Sequence, residues 1–479
     1  MNLDSNQSTE SAQVIVVGAG PVGLWVAAEL ALAGVRTLVV ERAVERSPHS
    51  KAMGMHPRTV EVLALRGAEK QFLADGVPVP NWHFGMLENR LDLTGLDTPY
   101  PFMLAFPQHR TEELFEQRAL ELGVRIERGH AVTGLDQDAS SVTVTLDDSR
   151  TLTASFVVGA DGAGSAVRKA AGIDFPGTDA TTFGYVGEVA LTEPPVVSAQ
   201  NDSGAFIAAP LGGDRYRFAG LDRVNQRPDD PFTLDDLRAT TLRVAGRDFG
   251  MHDPGWLSRF GNATRVAATY RSGRVLLAGD AAHMHFPAGG VGLNVGVQDA
   301  VNLGWKLAAE VRGTAAPGLL DSYHDERHPV GLALAGHTLA QTALIGAVTP
   351  EQRALRTLLN DAIDDIPEFA TALAEKLTAL DVAYPAAGAN PLVGRRVHSI
   401  SLPTGRPVLV NPSGTPMPRA SDLAARLGFD TAVAGPDLPG VGAAVIRPDG
   451  HVWWAAGPSP TLEAEVLAGL TGLGTTFPT

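Results

Sequence analysis

The chain has 479 residues, no cysteine, and 38 basic against 53 acidic side chains, a formal charge of −15. That length leaves room for two to four domains with sizeable cores, so a small stapled scaffold is excluded. The missing thiols remove disulfides, thiolate nucleophiles, Fe–S clusters and Cys-ligated zinc, and the acidic balance argues against a general nucleic-acid binder. The expected partner is a small molecule, and any redox chemistry must come from a bound cofactor.

Residues 1–12 are polar and acidic, unlike a signal peptide, and read as a short disordered tail. Residues 13–17 are a β-branched run, a glycine turn follows, and 22–33 is apolar at helical spacing until Gly34 stops it. With a second buried strand at 35–40, this is a βαβ unit whose helix is the crossover. The stretch 80–107 is rich in turns and carries exposed-looking aromatics, Trp82, His83, Phe84, Tyr100, Phe102 and Phe106. A helix is expected over 111–123, with Glu112 and Glu113 suiting its N-terminal dipole, and strands over 124–127, 142–146 and 154–158. Residues 183–222 alternate around Gly and Pro, with a turn at Leu211-Gly212-Gly213-Asp214, which predicts an antiparallel sheet inserted into the first domain. Another buried strand is expected at 273–279 and helices at 298–312 and 323–346. Beyond residue 390, strands at 408–410, 442–446 and 451–454 and a helix at 462–470 predict a separate small α/β domain. No run of about 18 apolar residues occurs, so no membrane span is expected, and the reading is a soluble cytoplasmic protein.

Three segments carry chemistry. Gly18-Ala-Gly20-Pro-Val22-Gly23 follows a strand and opens a helix, the setting of a dinucleotide fingerprint: Gly18 for the tight turn, Gly20 for backbone approach to a pyrophosphate, Gly23 for close helix packing. Glu41 ends the next strand where a carboxylate accepts ribose hydroxyls; Arg42 lies along an adenine or is a solvated surface charge. Second, a buried strand ends in Asp161-Gly162, followed by Ser165 and Arg168; alone this reads as a tight turn. Third, 274–283 delivers Asp280 to the carboxyl end of a strand, where it suits a polyol. Pro287-Ala288-Gly289-Gly290-Val-Gly292-Leu293-Asn294 then opens a helix whose free N–H groups suit a developing negative charge, as on a reduced flavin ring. Pro287 offers a rigid wall to a planar ring. His283 and His285 sit beside this loop, with no carboxylate or third His at ligand spacing, so no metal site is expected; they cap the loop or move protons. The pairs Arg395-Arg396 and Arg271 with Arg274 read as solvated or structural charges.

With these blocks in order, the chain resembles the flavoprotein aromatic hydroxylases of the para-hydroxybenzoate hydroxylase class. Within it the chain is similar to the branch that oxygenates aromatic polyketides, such as angucycline, anthracycline and tetracycline precursors, and to the rifampicin monooxygenases. The likeness covers nearly the whole chain, including 49–58, 323–329 and 442–455. It implies a Rossmann-like FAD-binding domain of the glutathione-reductase type over 13–79, 108–178 and 265–389, and a substrate domain with a mixed or antiparallel sheet over 80–107 and 179–264. A thioredoxin-like domain over 390–479 would have no dithiol chemistry. The resemblance implies FAD bound by Gly18, Gly20, Val22, Gly23, Glu41 and Arg42 on its ADP side, by Gln108 and Val132 at the flavin chain or adenine, and by Asp280 at the ribityl group. Gly290, Gly292, Leu293 and Asn294 would edge the isoalloxazine, and Asp161 is associated with both FAD and NAD(P)H. Lys51 stands where relatives often carry Arg, near a mobile flavin.

The implied reaction is reduction of FAD by NADPH or NADH, addition of O2 at flavin C4a, and delivery of one oxygen atom from the hydroperoxide to a polycyclic phenol in a dry pocket. Pro287 and Asp280 would carry the catalytic setting. Trp82, Phe84, His285, Pro287, Ala288 and Gly289 are candidate substrate contacts, the pocket lying between Pro287 and the sheet of about 180–220, with Trp82, His83 and Phe84 at its mouth. Baeyer–Villiger oxygenation of a polyketide ketone, inactivation of a rifampicin-type antibiotic, and flavin-bound sequestration without turnover are the alternatives. A monomer or homodimer is expected, with neither nucleic acid nor membrane as partner.

Overall fold

The structure, a computed structural model, describes residues 12–227, 230–385, 390–398, 400–432 and 438–474. The expected N-terminal tail lies outside them, apart from Ala12. β1 (Val14–Val17) is four β-branched residues buried on both faces, and it leads through α1 (Pro21–Leu32) into the parallel strand β2 (Thr37–Glu41). The crossover begins at Pro21, whose missing N–H costs nothing in a first turn. After α2 (Pro57–Leu65), β3 (Arg125–Arg128) and β4 (Phe156–Gly159) join the same sheet in parallel.

The inserted antiparallel sheet is present. β5 (Phe183–Ala190), β6 (Gly204–Gly212), β7 (Arg215–Asp222) and β8 (His252–Gly261), with the edge strand Ser198–Asn201, stand in the order edge-β6-β7-β5-β8. Gly212 and Gly213, both at positive φ, make the β6–β7 turn. Helix Leu234–Ala245 seals one face of this sheet, where Tyr185, Phe206, Phe218 and Leu237 form a core. β9 (Val275–Leu277) then returns to the first sheet beside β4, shorter than the expected 273–279 because Gly273 turns and Gly279 opens a 3-10 turn. That sheet has the order Arg271–Ser272, β9, β4, β1, β2, β3, and only its two-residue edge strand is antiparallel. α3 (Gly292–Val311) and α4 (Ser322–Ile345) follow. α3 crosses α1 closely at two glycines: a Cβ on Gly296 would lie 2.5 Å from Val22 Cγ2, and one on Gly304 2.5 Å from Glu29 Cβ.

Two findings depart from the sequence reading. The aromatics of 80–107 are not exposed: Phe84 is 5% and Phe106 2% exposed. Short strands hold them in, Asn81–Trp82 pairing with Leu91–Asp92, and Met103–Ala105 with Gly54–Met55 and Val77–Val79. Secondly, helices Pro350–Asp365 and Pro367–Thr378 extend the chain beyond the expected α4; Thr349 and Gln352 form a capping box for the first.

The last unit is a four-stranded sheet built from β10 (Val408–Val410), α5 (Pro418–Arg426), β11 (Asp430–Ala432), β12 (Ala443–Ile446), β13 (Val452–Ala456) and α6 (Leu462–Gly474), in the order β11-β10-β12-β13. It is joined to the rest by more than a linker. Arg447 and Asp449, in the buried β12–β13 turn, engage Glu326 of α4 and Asn302 of α3, and Arg58 of α2 donates to the Asp449 carbonyl (2.9 Å). Arg396, read as a solvated or structural charge, is structural: it pairs with Glu61 (2.9 Å). Among the described residues no single helix is long and apolar enough to cross a membrane.

Candidate active site

Parallel register decides the site. Val17 faces Gly159 on one side and Val40 on the other, and Gly159 faces Leu277, so β9, β4, β1 and β2 end level with one another. The segments after those ends are the three motifs, brought from positions far apart in the chain to one sheet edge. Gly18, at φ +105°, lies so close to the second motif that a Cβ there would be 2.5 Å from the Ala160 carbonyl oxygen and 3.0 Å from Asp161 Cα. A Cβ on Gly23 would lie 2.0 Å from the Gly18 oxygen, which makes Gly23 the packing glycine of the fingerprint. Arg168 ties the second motif to the third by donating to the carbonyls of Ala163 and Ala281 (both 2.9 Å).

Glu41 braces the fingerprint turn, its Oε2 accepting from Ala19 N–H (2.7 Å) and its Oε1 from Ala43 N–H (2.8 Å). Arg42 is exposed at the end of β2. Asp161 Oδ2 accepts from the N–H groups of Ala166 and Val167 (2.7 and 3.2 Å), while Oδ1 is buried with no partner among the described residues. Asp280 stands exposed at the end of β9, and a Cβ on Gly292 would lie 3.8 Å from its Oδ1 and 3.2 Å from His285 Nε2. Gln108 stitches the strap that carries Lys51: it exchanges bonds with Ala52 through its backbone and side chain (both 3.0 Å), leaving Lys51 exposed. Val132 packs its side chain into the main core, 8% exposed, so only its backbone is available to a ligand.

The loop before α3 is held from below. Pro287 is exposed, Ala288 and Gly289 are buried, and Gly289 and Gly290 take positive φ. The Gly289 carbonyl accepts from the Nε2–H of His56 and the Nε1–H of Trp82 (both 3.1 Å). Asn294 is 2% exposed and its side chain is fully used, accepting from His56 N–H (2.7 Å) and Thr59 O–H (2.6 Å) and donating to Gly290 (2.9 Å) and Gly54 (3.3 Å). Any contact it makes with a flavin is therefore through its backbone. Burial pushes His56 and His83 down to about 4, so both are neutral near pH 7. His285 is also lowered by burial; its Nδ1–H donates to the Phe286 carbonyl (2.7 Å), which leaves Nε2 as an acceptor toward Gly292.

His283 has a carboxylate partner that comes from outside its sequence neighbourhood. Its Nε2–H donates to Asp299 Oδ2 (2.6 Å), which also accepts from Gly279 N–H (3.1 Å), and Arg327 donates to Asp299 Oδ1 (2.7 Å). Burial would raise Asp299, but Arg327 and His283 hold it below the usual carboxylate range. Asp299 and Arg327, sixteen and forty-four residues downstream of His283, carry no local signal of this pairing. Phe84 is likewise set in the core, its ring 5.0 Å from that of His337. A cavity of about 160 Å³ lies between Thr182, Leu221, Phe286 and Ile345. Its lining does not include Trp82, His83 or Phe84.

This donor set fits FAD. Gly20 caps α1 with no side-chain bond, a Cβ on it would meet nothing within 4 Å, and Gly20 to Val22 are partly open in an otherwise buried unit. The first turn of α1 thus turns unpaired N–H groups into an open groove, as a pyrophosphate requires. The first turn of α3 also has neither a side-chain cap nor an acidic residue. Asp161 supplies an orphaned buried acceptor on the same edge.

Comparison with known proteins agrees. The FAD binding domain family matches residues 11–338. The 12-dehydrotetracycline 5-monooxygenase/anhydrotetracycline 6-monooxygenase of Streptomyces rimosus is 44% identical over 482 residues, 93% of this chain and 95% of that protein. A rifampicin monooxygenase of Streptomyces venezuelae is 42% identical over 463 residues, 92% and 95% of the two chains. The solved anhydrotetracycline hydroxylase of S. rimosus superposes with a TM-score of 0.87 at 42% identity, covering 95% of this chain and 98% of that one. The chain therefore belongs to the FAD-binding-domain family of class A flavoprotein hydroxylases and is an FAD-dependent monooxygenase with NAD(P)H and O2 as co-substrates.

Proposed function

We propose that the substrate is a polycyclic aromatic phenol of the polyketide type, which the enzyme hydroxylates. The observation that carries this reading is the common strand edge that gathers Gly18, Asp161 and Asp280 beside the N-terminus of α3, roofed by the inserted sheet. When bound and reduced by NAD(P)H, FAD supplies the electrons that activate O2 for transfer of one atom to the ring. The N–H groups opening α1 would hold the pyrophosphate, each Glu41 oxygen keeps a lone pair that would serve the ribose, and Asp280 would take the ribityl hydroxyls. Gly292, Leu293 and Asn294 would present backbone N–H groups at the positive end of α3, where they suit negative charge on a reduced ring, while Gly290, its N–H donating to the Pro287 carbonyl (3.3 Å), would edge the ring without a free donor. Pro287 walls the ring, and Phe286, Leu221 and Phe260 exclude water on the substrate side. The 160 Å³ cavity is smaller than the roughly 300–1,000 Å³ of ordinary ligand pockets, so a polycycle must displace some lining side chains on binding.

The domain division that supports this assigns 13–79, 108–178 and 265–389 to cofactor binding, 80–107 and 179–264 to the substrate, and 390–479 to a thioredoxin-like unit. The strand order β11-β10-β12-β13, with β10 and β11 parallel and the rest antiparallel, is what supports the last assignment. Action as a monomer or homodimer in the cytoplasm is in keeping with supply of NAD(P)H there. The test is NADPH oxidation by the purified yellow protein across a panel of anthraquinones and angucyclinones, with mass analysis. Ring products heavier by one oxygen are expected; a flavin-free protein, or an Asp280→Ala variant as active as the parent, overturns the reading.

A further inference from the structure

The inserted sheet has one face against helix Leu234–Ala245, where Tyr185, Phe218 and Leu257 pack. Residues one step along each strand point to the other face. There Leu221 and Phe260 meet Phe286 of the cofactor loop, and Trp256 stacks on His49, with ring centres 5.3 Å apart and planes 8° from parallel. Phe286 and His49 both come from the cofactor-binding half, so this face is the roof of the active site.

Register places Arg217 opposite Glu188 and Glu188 opposite Trp256, one cross-strand row on that roof. Arg217 is 5% exposed. Its Nη2 donates to Glu188 Oε1, and Glu188 Oε2 lies 3.7 Å from His49 Nδ1. Its Nε and Nη1 are buried and have no hydrogen-bond partner among the described residues, while its guanidinium carbon lies 5.7 Å from the centre of the Trp256 ring. A buried guanidinium with donors left over is unfavourable unless something brings an acceptor. Glu188 already balances the charge and repels a phosphate or a second carboxylate. A single delocalised oxyanion, such as a phenolate or the enolate of a hydroxyquinone, is what the remaining N–H groups match. Leu221, which lines the cavity beside Phe286, is four residues along β7 from Arg217, about 13 Å. Arg217 and the cavity-lining Leu221 thus share one face of the inserted sheet, a spacing that matches the length of a fused polycycle.

Resting on the function proposed above, we propose that Arg217 anchors the substrate by an ionised phenol or enol oxygen, with Glu188 and His49 positioning the guanidinium. Holding the oxygen ionised enriches the ring in electrons, which is what an electrophilic oxygen donor needs. The experiment uses FAD-loaded protein and alizarin, a dihydroxyanthraquinone whose absorbance moves to the red on ionisation, with its dimethyl ether as the form that does not ionise. Bound to the parent enzyme, alizarin should ionise at a pH lower by about one unit than in solution. Arg217→Gln should abolish that shift and weaken alizarin binding at least tenfold without changing binding of the ether, and Arg217→Lys should restore part of the shift. Equal affinity and equal ionisation in parent and Arg217→Gln overturn the anchor, as does a parent enzyme that binds the dye with no shift, a result that stands even if Arg217→Gln does not fold. A parent enzyme that shows no shift while polycycles stimulate its NADPH oxidation fails the anchor alone; a protein that holds no flavin and leaves NADPH untouched fails the function itself.

Discussion

Gly20 and Gly23, three residues apart, are expected to answer differently to a methyl group. At Gly23 the new Cβ would meet the Gly18 oxygen at 2.0 Å, so Gly23→Ala must move the strand–helix junction and lower the melting temperature along with flavin content. At Gly20 the backbone is extended (φ −74°, ψ 176°) and the space is empty, so Gly20→Ala should leave the apo-protein within about 0.5 kcal/mol of the parent yet weaken FAD tenfold or more. Thermal melts of both apo-variants with flavin titrations check this; a Gly20→Ala protein with unchanged FAD affinity would place the pyrophosphate elsewhere. The buried histidines give a second residue-scale expectation. His56 and His83 are held near 4 by burial, against about 6.5 in an unfolded chain, so between those values the unfolded chain binds more protons. Stability is therefore full above about pH 6.5 and falls toward pH 4, by up to roughly 3 kcal/mol per histidine. His56→Gln, whose amide can keep donating to Gly289, should flatten that part of a melting-temperature profile between pH 7 and 4.5.

At the scale of elements, α3 is the part on which the site depends, and it is gripped at its first turn and along its middle. Asn294 joins its first turn to α2 and to the Gly54 segment, while Asn302 and Asp299 bind Asp449, His283 and Arg327 further along. Removing one partner from a buried charge cluster leaves the others unpaired. Asp449→Ala leaves His451 without its carboxylate and the cations Arg447 and Lys306 sharing Glu326 alone, and should cost about 3–5 kcal/mol in urea unfolding, with Asp449→Asn costing less because it can still accept. Equal stability of parent and Asp449→Ala would mean that the turn is open to water. The helix itself was half legible: 298–312 was expected from apolar spacing, but its first six residues read as a loop because glycines crowd them. The structure shows them helical: Gly296 lets α1 approach, while Gly292 faces His285 and Asp280.

For the whole molecule, the C-terminal unit is a structural member of the enzyme. It has cores of its own, yet Leu65 of α2 belongs to one of them and the β12–β13 turn is buried against α2, α3 and α4. A chain ending at residue 389 would leave Leu65 uncovered and take Arg396 from Glu61 and Arg447 from Glu326. Such a chain is expected not to accumulate as folded flavoprotein, checked by its soluble yield and flavin absorbance; a stable yellow truncation would mean that the unit is merely appended. From the amino-acid order alone came the βαβ unit, the inserted antiparallel sheet and the three glycine-and-acid segments, because strand runs, glycine turns and the acids after them are written within a few neighbouring residues; the flavin chemistry came from the family resemblance those segments carry. Tertiary structure alone decided that Asp299 and Arg327 answer His283, that Asn294 spends its side chain on α2, that Phe84 is core and that Arg217 keeps donors in reserve. Those pairings join residues tens to hundreds of positions apart, and a contact made by packing between distant segments leaves no periodicity or spacing to read.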